Sequence, residues 1–209
     1  MIPNIISNHF QKGSAMRKHR IFLVAAALLF AGCSILGIKA PQVREATGMV
    51  TVNYTYSRIS GPGSNQFAIW IEDESGKLIR TLFVTDYTGR RQGWKVRPQC
   101  LTTWMALADV KNAPQESIDA VSGATPQPGN LSAVWDLKDD AGNPVAPGDY
   151  VYRIEGNLQM ENMVFWTGKI HVGGARQTSN AVVSYAPESA EKLGRTLIST
   201  VSAVYEPIQ

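Results

Sequence analysis

Val134-Trp135-Asp136-Leu137-Lys138-Asp139-Asp140-Ala141-Gly142-Asn143-Pro144-Val145-Ala146-Pro147-Gly148-Asp149-Tyr150-Val151-Tyr152-Arg153 carries two chain reversals and the strands on either side of them. Leu131–Leu137 reads as a strand, Lys138–Asn143 as a turn and Pro144–Gly148 as a second bend, because Gly, Asn, Asp and Pro supply the backbone angles that turns require. From Asp149 to Gly156, Tyr150, Tyr152 and Ile154 alternate with Val151, Arg153 and Glu155, the period-two pattern of a half-buried strand. Asp136, Asp140 and Gly142 have a faint likeness to a calcium loop. The closing Glu at the twelfth position is missing, so the segment is read as a turn.

The same alternation extends outward on both sides. Toward the N-terminus, Gln66–Glu72 and Leu78–Thr85 flank Asp73-Glu74-Ser75-Gly76-Lys77, a Gly-bearing turn that predicts an antiparallel pair. Before it, Met49–Ser57 alternates Val50, Val52, Tyr54 and Tyr56 against Thr51, Asn53 and Thr55, and Ser60–Asn65 breaks the pattern. Toward the C-terminus, Val164–Val172 is a strand, and Ala181–Tyr185 and Thr196–Tyr205 are rich in β-branched residues, with a helical turn expected over Pro187–Leu193. The count is about eight short strands with closely spaced turn signals. Long crossovers are missing, so the expected fold is all-β, an antiparallel sandwich.

Asp86–Ser117 differs in kind. Thr102–Val110 places Trp104, Met105, Leu107 and Ala108 at helical spacing, with Thr102 or Thr103 as the cap, and reads as a short helical insertion. Trp94 and Trp104 suit core or lid packing first and ligand stacking second. Arg90, Arg91, Lys95 and Arg97 form a solvated face that is also the local cationic cluster suited to a phosphate.

The first residues resemble an export signal. Arg17-Lys18-His19-Arg20 precede an apolar run, Ile21–Phe30, and then Ala31-Gly32-Cys33-Ser34. About ten apolar residues are too few to cross a bilayer, which takes roughly twenty. Phe30-Ala31-Gly32-Cys33 resembles a bacterial lipoprotein processing box, with Phe30 where Leu is usual, and the resemblance implies cleavage before Cys33 and its acylation. The alternative is an ordinary leader with an unmodified cysteine. Residues 1–15 fit no part of a signal, which leaves Met1 or Met16 as the start. The expected organisation is an upstream extension and signal over 1–32, a tether over 33–47, the sandwich over 48–173, and C-terminal strands over 174–209.

Composition excludes several function classes. The chain carries 20 Lys and Arg against 17 Asp and Glu. Lys12, Arg17, Lys18 and Arg20 all fall within residues 1–32, which hold no acidic residue, so the remainder has 16 basic and 17 acidic side chains. Nucleic acid is therefore not an expected partner. Beyond the leader there is one further cysteine, Cys100, and one histidine, His171. A Cys/His zinc site cannot be assembled from these, and His171 reads as a strand residue facing solvent or a polar neighbour.

Three resemblances add to this reading. The Trp135-Asp136, Asp140-Ala141-Gly142-Asn143 and Pro147-Gly148-Asp149-Tyr150 elements are similar to a hairpin of the Ig-like domain in flagellar hook-capping proteins, which implies an Ig-like sandwich. That hairpin, Ala68–Leu82, the Trp94 and Trp104 pair and Asp119–Thr125 together resemble the predicted periplasmic domain-of-unknown-function 2271 family. Third, Asp119-Ala120-Val121-Ser122-Gly123-Ala124-Thr125 resembles the Asp-x-x-Ser/Thr-Gly-Ala-Thr motif that a FAD-dependent FMN transferase modifies in extracytoplasmic flavoproteins. By this resemblance FMN phosphate is linked to the Thr125 hydroxyl, Asp119 positions the segment in the transferase, and Gly123 and Ala124 leave room for the nucleotide. Trp94 or Trp104 is the expected wall for the flavin ring, and a membrane reductase is an expected partner beside the transferase.

The sequence departs from the motif's usual continuation at Pro126-Gln127-Pro128. Two readings therefore stand side by side. In one, the chain is a lipoprotein of the periplasm, anchored at Cys33 and associated with flavin-based electron transfer. Ser34 lacks the acidic character linked to inner-membrane retention, which points to the outer membrane. In the other, the chain is a non-catalytic Ig-like interaction module on the same anchor, and Ser122 and Thr125 merely satisfy backbone groups in a rigid loop. Neither reading makes the chain an enzyme.

Overall fold

A computed structural model describes residues 44–61 and 64–208. The expected signal, the expected lipidation position Cys33 and most of the expected tether lie outside the described residues. Ala46 and Thr47, assigned above to the tether, are tied to the domain. The Ala46 amide donates to the Val145 carbonyl at 2.9 Å, and the Tyr205 hydroxyl donates to the Thr47 carbonyl at 2.9 Å.

Among the described residues ten strands make two sheets: β1 (Met49–Tyr56), β2 (Gln66–Asp73), β3 (Leu78–Thr85), β4 (Ser122–Gly123), β5 (Gly129–Trp135), β6 (Gly148–Gln159), β7 (Asn162–Val172), β8 (Gln177–Asn180), β9 (Val182–Ala186) and β10 (Ile198–Glu206). One sheet runs β5-β1-β10-β8 and the other β4-β3-β2-β6-β7-β9. Two short helices, α1 (Thr102–Leu107) and α2 (Gln115–Val121), form the insertion between β3 and β4. The fold is thus an all-β sandwich with a small helical insertion.

The inner faces meet over Val50, Val52, Tyr54 and Tyr56 of β1, Phe67, Ile69 and Ile71 of β2, Tyr152 and Ile154 of β6, and Ala203 and Tyr205 of β10. β2 is buried on both faces. Its other side, Ala68 and Trp70, packs with Val84, Cys100, Leu101, Trp104 and Ile118 beneath the helices. A strand covered on both sides carries apolar residues at consecutive positions, as Phe67–Ile71 do.

Four features differ from the sequence reading. The segment 134–153 is not a hairpin within one sheet: β5 pairs with β1 and β6 with β2, so it crosses the sandwich. Its two turns serve as a corner, in which Asp139 accepts from the Ala141 and Asn143 amides at 2.9 and 2.8 Å. The Trp135 ring meets Tyr150 edge-on at 4.9 Å. Second, pairing is not wholly antiparallel, because β4 runs parallel to β3. Third, 115–121 is a helix, so Asp119 sits on α2 rather than in a loop before a strand. Fourth, α1 has neither Thr102 nor Thr103 as its cap. Leu101 occupies that position with φ 53° and no side-chain capping bond. The first amides of α1 are held instead by Glu155 of β6, which accepts from Thr103 N at 3.2 Å and Trp104 N at 2.8 Å.

Candidate functional site

The Asp119–Thr125 segment begins in the last turn of α2, passes through the edge strand β4 and emerges in the connection to β5. Its two hydroxyls have different employment. Ser122 Oγ accepts from the Arg90 amide at 3.0 Å and donates to the Ile118 carbonyl at 2.7 Å, joining the β3–α1 loop to α2. Gly89 has no room for a side chain because an added Cβ would lie 2.1 Å from that same Oγ. Thr125, by contrast, makes no side-chain hydrogen bond among the described residues and is half-exposed. The reading in which both hydroxyls satisfy backbone groups therefore holds for Ser122 alone.

Gly123 is fixed by close approach. A Cβ at this position would lie 2.6 Å from the Phe83 ring, closer than unbonded carbons pack. The Gly123 carbonyl accepts from the Asp86 amide at 2.7 Å, and β4 is tied to β3 through Val84 and Thr85. Asp119 Oδ1 accepts from Gln115 Nε2 at 2.7 Å within α2. Ala124 is exposed. The motif thus has a fixed half, Asp119–Gly123, and a presented half, Ala124–Thr125.

The cationic cluster is occupied with holding this loop. Arg91 Nε pairs with Asp86 Oδ2 at 2.6 Å and Arg90 Nε with Asp86 Oδ1 at 3.5 Å. Arg90 also donates to the Ser122 carbonyl at 3.1 Å, Arg97 reaches Asn157 at 3.4 Å, and Lys95 lies 5.3 Å from the Trp94 ring centre.

The tryptophans part company. Trp104 is fully buried, its indole N–H donating to Thr81 Oγ1 at 3.1 Å, so it offers no face to a ligand, and the expected ring wall at that position is corrected to core. Trp94 is half-buried and lines a cleft of about 350 Å³ with Pro98, Met105 and Val110. Thr125 lines a different cavity, about 630 Å³, formed with the β1–β2 loop. The two share no lining residue. Neither expected tryptophan wall therefore stands beside Thr125, whose hydroxyl is open to a phosphoester, and Phe83 is the aromatic ring packed against the segment. Phe83 carried no motif signal of its own, since its approach to Gly123 arises only from the β3–β4 pairing.

A family model described as "Predicted periplasmic protein (DUF2271)" matches residues 49–185, about two-thirds of the chain. The chain belongs to this family. No curated protein and no solved structure matches the DUF2271 chain. Among its described residues no helix is long and apolar enough to cross a membrane, and no group of three or more His, Cys, Asp or Glu is placed to hold a metal ion.

Elsewhere in the DUF2271 domain, Glu155 is the most perturbed carboxyl. It is fully buried under α1, and burial pushes its pKa up to about 7 against the opposing pull of the Trp104 and Thr103 amides. Cys100 is buried nearby with its thiol pKa raised by burial. His171 faces solvent and meets Asp149 Oδ1 at 2.6 Å.

Proposed function

We propose that this DUF2271 protein is an extracytoplasmic electron carrier bearing FMN on Thr125. The observation that carries the reading is the division of labour within the motif: Ser122 is bonded on both sides, whereas the Thr125 hydroxyl has no hydrogen-bond partner among the described residues and Thr125 lines a cavity. A hydroxyl that an enzyme modifies must be reachable, with the activating base supplied by that enzyme. In the reaction, the Thr125 oxygen attacks the FMN-side phosphorus of FAD. A P–O bond of the pyrophosphate breaks, the Thr125 Oγ–P ester forms, AMP leaves with the bridging oxygen, and the hydroxyl proton is released. The modifying partner is a FAD-dependent FMN transferase, and the electron donor is a membrane reductase.

When bound, FMN supplies one- and two-electron redox chemistry. The chain's own residues hold the attachment point. Arg90 and Ser122 fix the motif backbone, and Gly123 lets it lie against Phe83. The reading also places the protein at the bacterial envelope through acylation of Cys33, on the outer-membrane side. Cys33→Ser is then expected to release it from membranes, and unchanged fractionation contradicts the anchor.

Co-expression of the domain with an FMN transferase tests the carrier. A flavin-fluorescent band that survives denaturation in the wild type and is lost in Thr125→Ala supports it. The absence of an adduct, or an adduct retained in Thr125→Ala, rejects it. A second reading, an interaction module, draws on the sheet edge at β9, where Val182 and Val183 are exposed on a strand paired on one side only. Recovery of no partner from envelope extracts counts against that reading.

A further inference from the structure

The cavity beside Thr125 has a chemical character of its own. It is lined by Arg58, Ser60, Ser64, Asn65, Gln66 and Thr125, with Ile59 and Gly61. No carboxylate appears among these described residues. Arg58 is exposed and makes no ion pair or hydrogen bond among the described residues, in contrast to Arg90, Arg91 and Arg97. It lies close enough to the Tyr56 hydroxyl to oppose the effect of burial on that group.

The two described ends of the loop that presents Arg58, residues 57–61 and 64–65, are tied to each other. Asn65 adopts φ 55°, a left-handed conformation that asparagine tolerates better than most residues. Its side chain spans the loop, accepting from the Ile59 amide at 2.7 Å and donating to the Ile59 carbonyl at 3.0 Å. Gln66 is buried with its Oε1 accepting from Thr85 Oγ1 at 2.6 Å and Thr88 Oγ1 at 3.1 Å, which anchors the floor. Arg58 is thus mounted next to Asn65-clamped backbone, with the Ser60 and Ser64 hydroxyls in the same lining.

We infer that this cavity is the ribityl-phosphate subsite of the FMN carried on Thr125, with Arg58 as the counter-charge to the phosphodiester. This rests on Thr125 as the attachment residue. A phosphodiester keeps one negative charge at neutral pH, and a guanidinium is the side chain best matched to its oxygens. The Ser60 and Ser64 hydroxyls suit the ribityl chain, while the Asn65 and Gln66 amides hold the lining itself. The polar lining does not suit the apolar isoalloxazine ring, which is left at the mouth, where a redox partner can approach it.

The test uses the covalent adduct on the full domain and reads how tightly the flavin is held, by time-resolved fluorescence anisotropy and by the phosphorus resonance. Arg58→Gln is expected to free the cofactor, with the fast depolarising component gaining amplitude and the phosphorus line narrowing. Arg58→Lys is expected to restore most of the order, and Arg44→Gln, which alters an exposed cation that does not line the cavity, is expected to change nothing. Should Arg58→Gln fail to accept FMN, the wild-type adduct taken from low to molar salt gives the same readout, because salt screens an exposed ion pair. Anisotropy and linewidth unchanged by Arg58→Gln and by salt overturn the subsite while leaving attachment at Thr125 intact. Failure of the wild-type domain to form any adduct removes the attachment reading itself, so the two failures are distinguishable.

Discussion

Two hydroxyls three positions apart, Ser122 and Thr125, carry opposite predictions. Ser122→Ala removes an acceptor for the Arg90 amide and a donor to the Ile118 carbonyl, and is expected to cost about 1–2 kcal/mol in urea denaturation. Thr125→Ala removes no side-chain hydrogen bond among the described residues and is expected to stay within about 0.5 kcal/mol of the wild type. A reversed order would mean that Thr125 braces the loop. Glu155 gives a pH signature. Its pKa is about 7 in the fold against an ordinary 4.5, so between these values the folded state binds the extra proton and stability falls as pH rises. The full loss is on the order of 3 kcal/mol, with no further change from this group above the folded pKa. Denaturation midpoints measured across this window are expected to decline in the wild type and to flatten in Glu155→Gln. An equal slope in both assigns the pH dependence elsewhere.

At the scale of elements, legibility followed the range of the interactions. The β2–β3 pair was readable because its determinants are local: alternation on each side and Gly76 at φ 84° in the turn. The corner between β5 and β6 was readable as two turns but not as a change of sheet, since Trp135 and Tyr150 carry the same alternation whether their strands pair or stack. The cap of α1 was misplaced because Glu155 reaches it from another sheet strand, and no pattern around Thr102 records that. α2 escaped notice because Gln115–Val121 is short and buries only Ile118. The Asp119–Thr125 segment stood out in the sequence as a motif. The neighbourhood of Arg58 did not, because Arg58 and Thr125 come to line one cavity only after β1 and β4 take their places. Trp104 ties the insertion to the sheet through Thr81 and the second core. Trp104→Ala is expected to cost about 3–5 kcal/mol, measured by thermal or urea unfolding, and a cost below about 1 kcal/mol would show that the insertion is not coupled to the sandwich.

For the whole molecule, the family match ends at residue 185, yet β10 lies between β1 and β8 in the four-stranded sheet. It contributes Ile198, Val201, Ala203 and Tyr205 to the main core. Truncation after residue 185 would leave the hydrogen-bonding edge of β1 unpaired over buried apolar surface. The truncated chain is expected to be aggregated or unfolded by circular dichroism, and a monomeric, cooperatively folding product would contradict that role for β10. The sandwich as a whole then serves as a rigid mount, with α2 and β4 holding the fixed half of the motif and the β1–β2 loop facing its presented half. The central claim, that Thr125 is the one flavin attachment point, is tested most directly by intact mass and peptide mapping of the domain co-expressed with an FMN transferase. The account predicts a mass increase of one FMN less water, on the peptide containing Thr125 and absent from Thr125→Ala. An unmodified wild-type domain, or an FMN ester mapped to Ser122 or any other residue, would contradict it.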